Sequence, residues 1–279
     1  MGRGLVKAVV LAVALCMAVL GLPGDCPVAG RPVRLSGSTT MGPLMARLIR
    51  AYQEREPDRH FLLTGSGSAA GARDLALGLA DVALLSREMN DPERAVCARN
   101  GVEPERFLLA LDGLVPIVHP SNPLAGVTAE QLRAIYEGEL RNWRELGGPS
   151  LAVVPLERGD ESGSHDIWFR MVLGAAGEAA GLRRLDSNEA MVRAVCAGPG
   201  AIGYVGMGFV DGSVKALPLD GRTATVRSVL DGSYPASRTL NFYIAGDATQ
   251  PVRAFVDFVL SSQGRRIVVE SGFVPHDRP

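Results

Sequence analysis

The sequence predicts an α/β protein built as two lobes. Two observations carry this. Short apolar runs alternate with amphipathic runs along the whole chain, the pattern of mainly parallel sheets covered by helices on both faces. The length, 279 residues, exceeds what one small core organises and suits two units of ordinary domain size. A third feature concerns function. Three strand-like runs end in Gly/Ser/Thr segments that open helix-like runs.

Residues 1–30 come first. Arg3 and Lys7 precede an apolar run, Ala8–Leu22, and small residues follow near Gly24 and Val28–Gly30. This is the layout of a secretory signal peptide. A retained anchor is the rival, but the run is short for a span and breaks at once at Gly24-Asp25. Cys26 offers a lipid attachment point, against which Asp25 argues. The mature protein is therefore expected outside the cytoplasmic membrane, in the periplasm, with a lipoprotein as the lesser alternative.

Next, the run Pro32–Leu35 reads as a strand and leads through Ser36-Gly37-Ser38-Thr39-Thr40-Met41 into a helix over Leu44–Glu54, whose apolar residues 44, 45, 48, 49 and 52 form one stripe. Phe61–Leu63 leads through Thr64-Gly65-Ser66-Gly67-Ser68 into a helix over Ala72–Leu79. Val82–Leu85 is a buried-type strand, and Asp91-Pro92-Glu93 reads as a cap with proline opening a helix. Leu114–Val118 is a further strand, and Thr128–Gln131 is a capping box for a helix to about Glu137. Leu151–Leu156 leads through Arg158-Gly159-Asp160-Glu161-Ser162-Gly163-Ser164 into a helical run, Ile167–Leu173. Ser187 caps a helix through Cys196, and Gly198 ends it. Ala201–Val205 and Phe242–Ile244 are strands, and Ser262–Ser271 is a last helix stopped by Gly272.

Composition excludes several classes. Hydrophobic residues are 47% and charged residues 21%, which is globular, and the net charge of −1 offers no basic excess for nucleic acid. Cysteines stand at 16, 26, 97 and 196 without Cys-x-x-Cys spacing, and the histidines 60, 119, 165 and 276 form no ligand-spaced cluster, so neither a metal nor a cofactor is expected. Cys97 and Cys196 are expected as buried free thiols, although a pair among Cys26, Cys97 and Cys196 stays open. Gly65-x-Gly67-x-x-x-Gly71 misses the dinucleotide spacing by one.

Helix starts rich in Gly and hydroxyl residues leave N–H groups without partners and carry partial positive charge. With one guanidinium nearby they can hold a small oxyanion without a metal. Ser164 beside His165 raises a hydrolase or phosphatase reading. Neighbours in sequence at a helix start point apart, however, and a nucleophile needs a base within hydrogen-bond reach, so no catalytic residue is expected.

The ordered blocks Gly37–Thr40, Gly65–Gly71, Asp81–Arg87 and Arg158–Ser164 resemble the PstS-type phosphate-binding proteins of ABC importers. Further blocks at Leu132–Gly148, Ser187–Val205, Gly232–Leu240 and Phe255–Pro275 agree, so the resemblance runs from about residue 33 to 276. It implies a type II periplasmic-binding fold with crossings near Leu114–Val118 and Leu240–Ile244. Lobe one is then 31–113 plus 245–279, and lobe two 119–239. It implies a monomer that binds inorganic phosphate through Thr40, Met41 N–H, Ser68, Arg158, Ser162, Gly163 and Ser164, with Ser38, Thr39, Ser86 and Arg87 as further candidates. Asp160 is expected to pair with Arg158. The partners implied are ABC permease subunits. Other tetrahedral oxyanions, such as sulfate, molybdate or tungstate, use the same donor types and stay open. Arg87 departs from many relatives, which carry there an aspartate that accepts a proton from phosphate. Either Arg87 approaches the ion or it turns away to pair with Glu88 or Asp91.

Overall fold

The computed structural model describes residues 31–174 and 182–276. The signal-type segment, with Cys16 and Cys26, lies outside the described residues. In chain order the strands are β1 (Val33–Gly37), β2 (Phe61–Gly65), β3 (Val82–Leu85), β4 (Pro104–Val118), β5 (Val154–Arg158), β6 (Arg183–Leu185), β7 (Ala201–Gly206), β8 (Lys215–Ala216), β9 (Ser237–Ala245) and β10 (Val274–Pro275). The helices are α1 (Gly42–Gln53), α2 (Ser68–Ala76), α3 (Asp91–Arg99), α4 (Ala129–Tyr136), α5 (Gly163–Trp168, continued by a π turn over Phe169–Leu173), α6 (Asn188–Ala197), α7 (Val226–Leu230), α8 (Gln250–Leu260) and α9 (Ser262–Glu270).

The strand order β2-β1-β3-β9-β4-β7-β5-β6 joins two lobes through β4. In the first lobe β1 pairs parallel with β2 and β3, and β9 runs antiparallel between β3 and β4. In the second lobe β5 pairs parallel with β6 and β7, and β4 runs antiparallel between β7 and the short β8. The central strands of each sheet are buried on both faces, while the edge strand β2 is largely exposed. In the first lobe Val82, Leu84, Phe242 and Ile244 pack against the α1 and α8 side, while Ala83, Leu85 and Tyr243 face α2 and α3. In the second, Leu114, Val118, Ile202 and Tyr204 lie on one face, and Ile117, Ala201 and Val205 on the other. This is the period-two alternation of a strand with helices above and below.

The expected crossings move by a few residues. β4 pairs with β9 up to Gly113 and with β7 from Leu114 onward. Leu240, Phe242 and Ile244, expected in the second crossing, sit in the first lobe's core, whereas Tyr234 and Ala236 sit in the second lobe's. The crossings are therefore Gly113/Leu114 and Ala236/Ser237, held together by the Leu114 N–H donating to the Ala236 carbonyl at 2.9 Å. Sequence reading saw only Leu114–Val118; in residues 104–113 of β4 the apolar run Phe107–Leu111 is flanked by Glu105-Arg106 and Asp112-Gly113.

Local signals otherwise match the elements closely. Thr128 caps α4 through a capping box with Gln131, and Ser187 caps α6 through the Ala190 N–H. For α3 the cap is Asn90, which accepts from the Glu93 N–H, so proline stands second in the helix and Asp91 first. Cys97 is a buried free thiol, but Cys196 is exposed because it faces outward from α6. Trp143, Trp168 and Tyr204 are fully buried in the second lobe.

Candidate functional site

Four helix starts meet between the lobes. α1 and α2 come from the first, α5 and α6 from the second. Thr40, Ser68, Ser86, Arg158, Ser162, Ser164 and Asn188 are all buried there. The lobes touch at several polar contacts. Arg158 Nη2 donates to Thr39 Oγ1 at 3.0 Å, Asn188 Nδ2 to Thr40 Oγ1 at 3.0 Å, and Arg238 Nη1 to Ser164 Oγ at 2.7 Å. Thr40 Oγ1 and Ser164 Oγ are 3.3 Å apart. The Ala69 N–H, at the start of α2, donates to the Glu161 carbonyl at 3.2 Å.

Backbones approach so closely here that side chains are excluded. A Cβ on Gly163 would lie 2.4 Å from Ser68 Oγ and 2.8 Å from Ser86 Oγ. Gly67, with φ of 98°, combines a left-handed conformation with a Cβ position 2.4 Å from the Glu161 carbonyl oxygen. Only glycine meets both conditions at residue 67.

Arg158 ends β5 and is 2% exposed. Its Nε donates to the Leu185 carbonyl at 2.9 Å and its Nη2 to the Asp186 carbonyl at 2.9 Å. Nη1 is buried with no partner. Burial pulls this guanidinium below the ordinary arginine pKa. A cationic donor sealed from water and left open is costly unless an anion meets it. Behind Arg158, the buried Glu157 accepts from the Arg158 N–H at 2.7 Å and from the Tyr204 hydroxyl, and its Oε1 lies 3.1 Å from His165 Nδ1. Burial and the Glu157 charge hold the Tyr204 phenol well above its ordinary pKa, so it stays a donor. This cluster ties the end of β5 to the first turn of α5.

Several expected roles change. Asp160 pairs with Arg184 at 2.9 Å instead of Arg158, because it lies on the exposed side of the loop. The Ser162 hydroxyl accepts from the Ser164 and His165 N–H groups at 3.2 and 3.4 Å, which makes it a helix cap. The Met41 N–H donates to the Ser38 carbonyl at 3.2 Å. Arg87 turns away, the second of the two expected placements, but it meets Glu88 only at its backbone carbonyl, at 3.0 Å, and its carboxylate partners are other than Glu88 and Asp91. Its Nη atoms grip Glu93 at 2.7 and 2.8 Å, and its Nε donates to Asp166 across the lobes at 2.5 Å. Burial lowers its pKa, but Glu93 and Asp166 outweigh that and hold it above the ordinary value.

Two residues escaped sequence reading. Arg238, at the start of β9, is buried against Asp112, with Nε and Nη2 at 2.8 and 2.7 Å from Asp112 Oδ2, and its Nη2 also reaches Thr40 Oγ1 at 3.3 Å. It lies in the Gly232–Leu240 block, but nothing local gives it a role, because its neighbours arrive from β4, α1 and α5. Asn188 did carry a signal. Asp186-Ser187-Asn188 is a fourth polar helix start after a strand, of the same kind as the other three.

The family model described as "PBP superfamily domain" matches residues 27–263. The chain belongs to the PBP superfamily. The type II two-lobed architecture of that superfamily is what the strand order displays. Within it, this PBP is similar to the phosphate-binding protein PstS of Bacillus subtilis, 27% identical over 249 residues that cover 88% of this chain and 81% of the relative. It is similar to a solved putative phosphate ABC transporter substrate-binding protein with bound phosphate from Clostridium perfringens, with 30% identity, a TM-score of 0.83, and coverage of 88% of this chain and all (100%) of the other. An ABC-type phosphate transport receptor from Vibrio cholerae matches with 28% identity and a TM-score of 0.72, covering 88% of this PBP and 100% of the receptor.

Proposed function

We propose that this PBP is an extracytoplasmic, monomeric receptor that captures inorganic phosphate between its lobes and delivers it to an ABC permease, without catalysing a reaction. The carrying observation is Arg158 Nη1, a buried cationic donor without a protein partner where four helix starts converge. Thr39, Thr40, Ser68, Ser86, Gly163 and Ser164 complete a wall of hydroxyls and backbone around it, with Arg238 behind. Ser164 Oγ faces Arg238 and His165 Nδ1 faces Glu157, an arrangement that binds and does not activate a nucleophile. Phosphate-binding relatives of matching length support the ligand. No described helix is long and apolar enough to cross a membrane, and the amino-terminal segment supports export.

The energetics are sufficient. Charge-assisted hydrogen bonds contribute about 1.5–3 kcal/mol each, and desolvating a compact dianion removes most of the sum. A net of about −8 to −10 kcal/mol corresponds to sub-micromolar binding. The ion touches both lobes, so it stabilises the closed form about the crossings at Gly113/Leu114 and Ala236/Ser237. Isothermal calorimetry is expected to show one phosphate per chain with sub-micromolar affinity. Absence of binding at millimolar phosphate would reject this reading.

Closure itself gives a second test. Gly163→Ala adds a methyl where Ser68 and Ser86 already stand. Overpacking of this kind costs about 1–3 kcal/mol, so phosphate affinity should fall roughly 5- to 150-fold while the thermal midpoint without phosphate stays unchanged. Unaltered affinity would mean that the lobes do not meet at residue 163 when the ligand is held.

A further inference from the structure

We propose that Arg87 and Asp166 form a latch between the lobes, and that this latch sets how slowly the bound anion is released. The inference rests on the phosphate reading above and names the residues that govern how long the closed form lasts.

Arg87 follows β3 in the first lobe, and its side chain is 4% exposed. Its forked edge is fastened within that lobe. Nη2 and Nη1 donate to the two Glu93 carboxylate oxygens at 2.7 and 2.8 Å, and Nη1 also donates to the Glu88 carbonyl at 3.0 Å. Glu93 is fixed in turn, because its Oε2 accepts the Asn90 N–H at 2.9 Å in the capping box of α3. The Arg87 carbonyl accepts from Asn241 Nδ2 at 2.9 Å, which pins the backbone to β9. Nε is the donor that reaches the other lobe, where it meets Asp166 Oδ2 at 2.5 Å.

A guanidinium held this way is aimed before the lobes meet. The two-pronged Glu93 contact keeps its plane and balances its charge when the lobes part. Opening then breaks one charge-assisted hydrogen bond without stranding a buried cation. Asp166 is 33% exposed, so water can take over its carboxylate as the cleft widens. The contact exists only while the lobes touch, so it favours the closed form.

The position of Asp166 couples the latch to the ligand. It lies in the first turn of α5, the helix whose start carries Gly163 and Ser164. Arg87 and Asp166 border a cavity with Met89, Arg170 and Thr239, separate from the one at Gly65–Gly67 and Arg158–Ser162. Both residues are therefore positioning residues that hold the anion-binding turn against the first lobe. A second cross-lobe pair, Arg73 with Glu161 at 3.2 Å, precedes the same turn, but both of its side chains are exposed. Exposed pairs contribute little, so this one is the natural comparison.

The test loads the full chain with radiolabelled phosphate, chases it with unlabelled phosphate, and reads release by rapid filtration. Asp166→Ala should speed release about 5- to 30-fold and weaken the calorimetric affinity by a similar factor. Asp166→Asn, which keeps the shape, should give a smaller change of the same sign. In an Arg87→Gln background Asp166→Ala should alter release less than about twofold, because the partner is already gone. Arg73→Gln in the parent should also alter it less than about twofold. Removing a negative charge beside an anion site strengthens binding unless that charge holds the lobes together. Tighter binding or unchanged release in Asp166→Ala overturns this inference alone, as does an equal effect in both backgrounds. A parent chain that binds no phosphate at millimolar concentration overturns the phosphate reading and the latch with it.

Discussion

Arg158→Ala is expected to weaken phosphate binding by about 30-fold or more while the protein stays folded. The guanidinium sits at the end of β5 with two donors fastened to the Leu185 and Asp186 carbonyls and a third on Thr39 of the other lobe. That leaves Nη1 aimed by its own anchors and unable to relax away from the site. Truncating one partner of a desolvated charge pair costs about 2–5 kcal/mol, so affinity should fall by roughly 30- to several-thousand-fold. The fold bears the change because Arg158 also carries an unsatisfied buried donor, and removing that donor offsets the two hydrogen bonds to the carbonyls. Circular dichroism and a thermal melt should look like the parent's, and calorimetry should show the weakened affinity. Binding within about threefold of the parent would mean that the anion is held elsewhere.

Asp112→Ala should produce the largest loss of stability. Asp112 and Arg238 are direct cross-strand partners on β4 and β9, and both side chains are fully buried. Asp112 Oδ1 also accepts the Met207 N–H at 3.0 Å, so one carboxylate joins both crossing strands to the end of β7. Burial pushes its pKa up, and Arg238 pulls against that. Removing it strands a guanidinium in a dry interior, which costs about 3–5 kcal/mol. Urea denaturation reads this directly. The double variant Asp112→Ala/Arg238→Met should recover most of the loss, since replacing a whole buried ion pair by apolar groups is close to neutral. A loss below about 1 kcal/mol in the single variant would show that water reaches the crossing.

The double variant also separates two roles of Arg238. It donates to Thr40 and Ser164, so its loss should weaken phosphate binding even where stability returns. A fully recovered affinity would make Arg238 a hinge residue only.

Much of the fold was legible in local chemistry. The stripe at 44, 45, 48, 49 and 52, the box at Thr128 and the cap at Ser187 each became the element expected, because capping and amphipathic spacing act within a few residues. The first ten residues of β4 were missed for the converse reason. Their partners on β9 lie far along the chain, and several of their side chains are reached by solvent. The site shows the same division. Thr40, Ser68, Arg158 and Ser162–Ser164 were named through the family resemblance, and the structure sets their three junctions against one another. The partners named for Asp160 and Arg87 were not the ones found, and none was named for Arg238.

By itself, the sequence determined which segments become strands and helices and that Gly/Ser/Thr-rich turns begin the helices that matter. Those properties depend on backbone sterics and hydrogen bonding between near neighbours. Only the tertiary structure decided which charge each arginine answers. Arg87 bolts the lobes together through Asp166, Arg238 braces the crossing strands through Asp112, and Arg158 keeps a donor in reserve. Coulombic and hydrogen-bond partners are set by distance in space, and residues 79, 126 and 119 positions apart become neighbours only once distant strands have paired and the lobes have packed.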